Sequence, residues 1–124
     1  MTARRVLVVD DDDAIREVAA ACLELVGGYA VTTAASGAEG FALAVADPPD
    51  AIVLDVMMPG MDGPTLFRML QAEPRTAGIP VVLLTAKAHE ADREALGALG
   101  VAAVLTKPFD PMALSGQIAQ TLGW

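Results

Sequence analysis

One cysteine, one histidine and two lysines stand among the 124 residues, and each scarcity removes a class of chemistry. A lone Cys22 permits neither a disulfide framework nor a multi-thiolate metal site. A lone His89 excludes a His-rich zinc centre and makes Ser-His-Asp catalysis a poor fit. Sixteen acidic against 8 basic side chains give a net charge of −8, the wrong sign for gripping phosphate backbones. Direct nucleic-acid binding by this domain is therefore not expected. Long hydrophobic runs are also missing. Mean hydropathy is high at +0.49, yet the apolar runs stop at four or five residues, as in Val6-Leu7-Val8-Val9, where a bilayer span needs ~20. No basic-then-apolar signal segment opens the chain, because acids follow Arg4-Arg5 within five residues. A cytoplasmic protein without a membrane partner is the expectation.

Small side chains dominate what is present. Of the 124 residues 54% are hydrophobic, 24 of them alanine, so the interior must be closely packed. The length suits one domain over 1–124, with no repeat, linker or shift in composition. Short apolar runs recur at 6–9, 30–33, 51–54, 81–84 and 102–105. They are continuous rather than alternating, which reads as parallel strands buried on both faces.

Helical patterns lie between them. Ile15, Val18, Ala19, Cys22, Leu23 and Val26 follow the i, i+3, i+4, i+7 rule, and Gly27-Gly28 stops that helix. Ser36-Gly37-Ala38-Glu39 is a capping box. Asp62 caps a third helix, and Pro74 closes it. The fourth, about 89–99, is Ala- and Gly-rich and weakly marked. Asp110-Pro111 opens the last, with Leu114, Ile118 and Leu122 on its inner face. Five βα units predict an α/β fold: a doubly wound, five-stranded parallel sheet, flavodoxin-like, in the strand order 2-1-3-4-5.

In such a sheet ligands bind beyond the carboxyl ends of the strands, so the residues there matter most. The first run ends in Asp10-Asp11-Asp12-Asp13, the third in Asp55, the fourth in Thr85, and the fifth in Thr106-Lys107-Pro108. Asp12 and Asp13 serve as helix caps; Asp10, Asp11 and Asp55 do not need to. Crowded carboxylates require a cation, and oxygen donors without paired His or Cys favour Mg²⁺. With Lys107 as second positive charge and Thr85 as hydrogen-bonding group, phosphoryl transfer onto Asp55 is the chemistry this set suits. Cys22 reads as core and His89 as surface. Trp124 reads as terminal packing, and Met57, Met58 and Met61 as a soft filling beside the site.

Val8-Val9-Asp10-Asp11, the stretch from Leu54-Asp55 through Met58-Pro59-Gly60-Met61-Asp62-Gly63, Leu84-Thr85-Ala86 and Thr106-Lys107-Pro108-Phe109 resemble a known family. It is the receiver domain of bacterial two-component response regulators, of the chemotaxis-regulator kind, and the resemblance covers essentially the whole chain. It implies that Asp55 accepts the phosphoryl group and that Asp11 ligates Mg²⁺ directly. Asp10 would act largely through a water, and the Met57 carbonyl would be a further ligand. Thr85 would be the switch hydroxyl, Lys107 the partner of the phosphoryl group, and Lys107-Pro108 a cis peptide. A histidine kinase, a phosphotransfer protein or a small phosphodonor would supply the phosphoryl group. A downstream protein or output domain would read the resulting shift between two states.

Three departures from the family pattern carry expectations. Val104 stands where the family usually has Tyr or Phe, so the usual rotamer coupling to Thr85 would not operate unchanged. Met57 cannot bond an attacking water strongly and would shield an acyl phosphate. The last helix, read over 111–124, has no charged side chain, so a salt-bridged dimer on that face is not expected; monomer or weak dimer is.

An enzyme reading, the aspartate-nucleophile phosphatases, needs a second acid two residues after the nucleophile. Asp55 is followed by Val56 and Met57; the first run does give Asp10 and Asp12, but Ala14 falls where that family has Thr or Val. Within the receiver reading two arrangements remain open. One is a stand-alone regulator; the other is a receiver cut from a longer regulator or hybrid kinase.

Overall fold

The computed structural model describes residues 3–86 and 89–124; of the two lysines, Lys87 lies outside them. Five strands, β1 (Arg5–Val9), β2 (Ala30–Ala34), β3 (Ala51–Asp55), β4 (Val81–Thr85) and β5 (Ala103–Thr106), alternate with five helices. These are α1 (Asp13–Leu25), α2 (Gly37–Ala46), α3 (Gly63–Ala72), α4 (Glu90–Gly97) and α5 (Leu114–Leu122). The strands form one sheet in the order β2-β1-β3-β4-β5, and every neighbouring pair is parallel. The expected fold is the observed one.

Two apolar clusters sandwich the sheet because successive strand residues point to opposite faces. Leu7, Val9, Ile52, Leu54 and Leu83 pack with Leu66, Phe67 and Leu70 of α3 and Ala44 of α2. Val6, Val8, Val53 and Leu84 pack with Ala19, Cys22 and Leu23 of α1 and Leu114 and Ile118 of α5. Each central strand therefore needs apolar residues at every position. β1, apart from half-buried Arg5, β3 and β4 are buried throughout. β2 and β5 depart from that expectation: β2 exposes Ala30, Thr32 and Thr33, and β5 is half-buried along its length. They are the edges of the sheet, where a neighbour is missing on one side.

Small residues set the spacing. A Cβ on Gly40 of α2 would come within 2.8 Å of Val9 Cγ2, so glycine lets α2 lie directly on β1. The helix starts follow their cap residues. Asp12 accepts from the Ile15 N–H at 3.1 Å and Ser36 from the Glu39 N–H at 3.2 Å. Asp62 accepts from the Thr65 N–H at 2.8 Å. The capping box closes loosely, with Glu39 accepting from the Ala35 N–H at 3.5 Å rather than from the cap residue. Asp13 pairs with Arg16 instead of capping.

The last helix starts later than Asp110-Pro111 suggests. Asp110 Oδ1 accepts from the Met112 N–H at 2.9 Å, closing a turn; the regular helix begins at Leu114 after Ala113. Trp124 packs edge-on against Tyr29, ring centroids 5.4 Å apart, with the Arg4 guanidinium 4.6 Å from its ring centroid. Tyr29 and Arg4 lead into β2 and β1, so this cluster closes the amino-terminal edge of the sheet.

Candidate functional site

At the opposite edge, sheet order dictates what meets. The chain leaves β1 to one side for β2 and returns on the other side for β3, so the loops after β1 and β3 part and leave a crevice. Asp10 follows β1 and Asp55 ends β3, next to each other in the sheet through the Val9–Leu54 register. Asp10 is 1% exposed and Asp55 4%. Exposed Asp11 joins them: one carboxylate oxygen from each of the three lies within 4.8 Å of the others.

Lys107 enters from β5. Its backbone N–H donates to the Thr85 carbonyl at 2.7 Å, which brings the side chain back over β4 towards the acids. Nζ donates to Asp10 Oδ2 and to Asp55 Oδ1, both at 2.9 Å. The peptide between Lys107 and Pro108 is cis, as expected. Thr85 is fully buried at the end of β4. The sheet thus brings together Asp10, Asp11, Asp55, Thr85 and Lys107 from four separate segments.

Charge dominates the chemistry here. Burial raises the Asp55 carboxyl above the usual carboxylate range; the Lys107 hydrogen bond opposes this and the Asp10 charge adds to it. Burial alone would lower the Lys107 ammonium, but its bonds to Asp55 and Asp10 outweigh that and raise it. Three carboxylates and one ammonium leave two negative charges, which one divalent cation would balance. The donor set is oxygen only, as a hard cation requires. The cluster therefore fits a metal ion.

Neighbouring residues build the rim. Asp12 N–H donates to Asp10 Oδ1 at 2.9 Å, and the Arg16 guanidinium donates to the Asp10 carbonyl at 2.8 Å. Gly63 is required behind Asp55, because a Cβ there would sit 2.5 Å from the Asp55 carbonyl oxygen. Gly63 stood in the sequence only as the end of the Asp62-Gly63 motif, with no role given to it, and Arg16 did not stand out, although three residues after Asp13 is a helical pairing distance. The methionines separate. Met58 is buried and Met61 packs against the same core cluster. Met57 is 61% exposed and fills no gap, because its side chain stands outside the packed layer. Cys22 is buried in the core and His89 is exposed, as expected.

An open parallel α/β domain with an acid–lysine crevice at its switch point is the class that this fold and site define. The chain belongs to the response regulator receiver domain family, whose sequence model matches residues 6–119. It is similar to the master transcriptional regulator RpaA of Synechocystis, described as DNA-binding: 44% identity over 106 residues, 86% of this chain and 44% of that protein. It is also similar to the response regulator PleD of Caulobacter vibrioides: 45% identity over 114 residues, 92% of this chain and 25% of that protein. The chain thus spans half or less of the length of these two relatives. Among solved structures, the chemotaxis protein CheY4 of Vibrio cholerae superposes with a TM-score of 0.87 at 31% identity. That match covers 98% of this chain and 99% of that one. A response regulator from Desulfuromonas acetoxidans gives 0.86 at 28% identity, with 97% of each chain covered. Receiver domains are signalling domains of two-component systems rather than enzymes in the ordinary sense. Among the described residues, no helix is long and apolar enough to cross a membrane.

Proposed function

We propose that the chain is a single receiver unit that takes a phosphoryl group onto Asp55 with Mg²⁺ bound, and thereby changes its protein contacts. The observation that carries this reading is the buried Asp10–Lys107–Asp55 bridge beside exposed Asp11. Asp11 and Asp55 would hold Mg²⁺ directly, Asp10 largely through water, and the Met57 carbonyl would complete the protein's share. When bound, the ion supplies positive charge to the phosphoryl oxygens.

The remaining work falls to the chain. The Asp55 carboxylate oxygen not held by Lys107 attacks phosphorus in line. The P–N bond of a phosphohistidine, or the P–O bond of an acyl phosphate, breaks as the new P–O bond forms. The leaving group departs with the electron pair, and a histidine leaving group takes up a proton. Lys107, already 2.9 Å from Asp55 Oδ1, keeps its charge against the phosphoryl group, and the Thr85 hydroxyl donates to it. Burial keeps bulk water from the acyl phosphate.

The donor is a sensor histidine kinase, a phosphotransfer protein or a small phosphodonor. An open apolar groove beside Lys107, lined by Ala14, Ile15, Val18, Pro108, Phe109 and Pro111, suits a macromolecular donor's helix. A downstream protein or an output domain would read the change, in the cytoplasm. Intact mass after incubation with acetyl phosphate tests the reading. Wild type should gain one phosphoryl group only with Mg²⁺, and Asp55→Asn none; a gain in Asp55→Asn, or none in wild type with Mg²⁺ and either acetyl phosphate or a phosphorylated histidine kinase, overturns it.

A further inference from the structure

Asp11 is the exposed member of the acidic trio, and among the described residues no hydrogen bond or ion pair holds its carboxylate. The direction in which its side chain leaves the backbone is therefore set by the two peptide planes that flank it, each rigid and trans. Both planes are pinned. The plane after Asp11 is held by the Asp12 N–H donating to Asp10 Oδ1 at 2.9 Å. The plane before it is held by the Arg16 Nη1 donating to the Asp10 carbonyl at 2.8 Å. Asp10 itself is fixed at its other polar atoms. Its N–H donates to the Ala34 carbonyl at 3.1 Å, and its Oδ2 accepts from Lys107 at 2.9 Å.

Arg16 could be taken as the counterion of Asp13, which its other arm meets. That pairing does not account for its placement. The Asp13 side chain is 83% exposed while that of Arg16 is only 16% exposed, and an ion pair with one partner in open solvent adds little. The guanidinium reaches inward because its fork spans the Asp13 carboxylate and the Asp10 carbonyl together.

We propose that Arg16 is a positioning residue for the metal site: by holding the Asp10–Asp11 peptide plane, it aims the Asp11 carboxylate at the cation. The proposal rests on reading Asp10, Asp11 and Asp55 as a Mg²⁺ site. Charge and positioning make opposite demands, which separates them. A nearby cation repels Mg²⁺, so an Arg16 that acted by charge alone would weaken binding, and its removal would tighten it. An Arg16 that positions Asp11 strengthens binding, and its removal loosens it.

The test is titration of the chain with MgCl₂ at constant ionic strength, followed by the backbone amide resonances of residues 10–13. Arg16→Met keeps the stem without donors. Arg16→Lys keeps the charge without the fork. Thr76→Val, which removes the buried Thr76 hydroxyl bond to the Leu70 carbonyl at the other edge of the sheet, controls for general loosening. The half-saturating Mg²⁺ concentration should rise about tenfold in Arg16→Met, as for other partners that orient metal ligands. It should stay raised in Arg16→Lys and unchanged in Thr76→Val. The Mg²⁺ concentration for half-maximal phosphorylation by acetyl phosphate should rise by the same factor, with the rate at saturating Mg²⁺ unchanged. Affinity unchanged or tighter in Arg16→Met, or full recovery in Arg16→Lys, overturns the proposal alone, as does equal weakening in Thr76→Val. A wild-type chain whose amides ignore Mg²⁺ overturns the metal site beneath it. Should Arg16→Met not fold, the Arg16→Lys comparison with wild type decides.

Discussion

The proposed chemistry asks two opposing properties of Asp55, burial enough to shed water and charge enough to be a nucleophile. The fold reconciles them through Lys107, whose 2.9 Å contact stabilises the carboxylate that burial and Asp10 disfavour. On the proposed phosphorylation of Asp55, position 57 would bear on how long the acyl phosphate survives. Met57 offers an attacking water no strong hydrogen bond, and its side chain stands exposed just after the crevice acid. Met57→Asn should therefore shorten the lifetime of the acyl phosphate several-fold, read as loss of phosphorylated mass with time after the donor is removed. An unchanged half-life would show that Met57 is not the shield. Asp55 was legible as a residue because an acid directly after a buried strand has no packing role. Lys107 was legible as a second positive charge at a strand end; that it meets Asp10 97 positions away is decided by the sheet.

At the scale of elements, helix starts carry local rules that a sequence displays openly. Asp62 is an example. Its bonds from Thr65 hold its carboxyl below the usual range, and it closes the amino end of α3, which carries Gly63 against Asp55. Asp62→Ala should cost about 1 kcal/mol in urea unfolding near neutral pH. Because the folded-state value is depressed, the stabilisation by the ionised carboxylate is present above the unfolded value of ~3.9 and is lost as pH falls through the folded one. The difference between wild type and Asp62→Ala should therefore narrow as pH drops from about 5 to 3. A gap that stays constant would mean that Asp62 does not act through its charge. Elements whose surroundings lie far off in sequence were less legible. β2 reads as apolar as its neighbours but lies at the edge, and the Asp110 cap closes a turn three residues ahead of α5.

Across the whole molecule, the two clusters on either side of the sheet differ in what covers them. α4 has no buried residue and touches the core only through Leu96, with Leu99 beyond it. α5 buries Leu114 and Ile118 and presents an uncharged outer face. A face without ions cannot form a salt-bridged dimer. The phosphorylated chain should sediment as a monomer or as a weak dimer whose association does not fall as salt is raised. A tight dimer that dissociates in high salt through the α5 face would overturn this.

Composition and spacing settled the architecture here, because buried parallel strands need unbroken apolar runs and the helices between them announce their caps. The acids, Thr85 and Lys107 were visible as candidates for the same reason: each ends a strand, and strand ends in such a sheet share one edge. Which of the acids are buried, which oxygen Lys107 takes, and that Arg16 and Gly63 brace the crevice depended on distances between segments far apart in the chain. Those contacts come from sheet order and helix packing, which act through space and leave little local mark on the sequence. Arg16 shows the boundary most plainly. Its pairing with Asp13 is helical spacing, whereas its hold on the Asp10 carbonyl exists only once α1 has docked against β1.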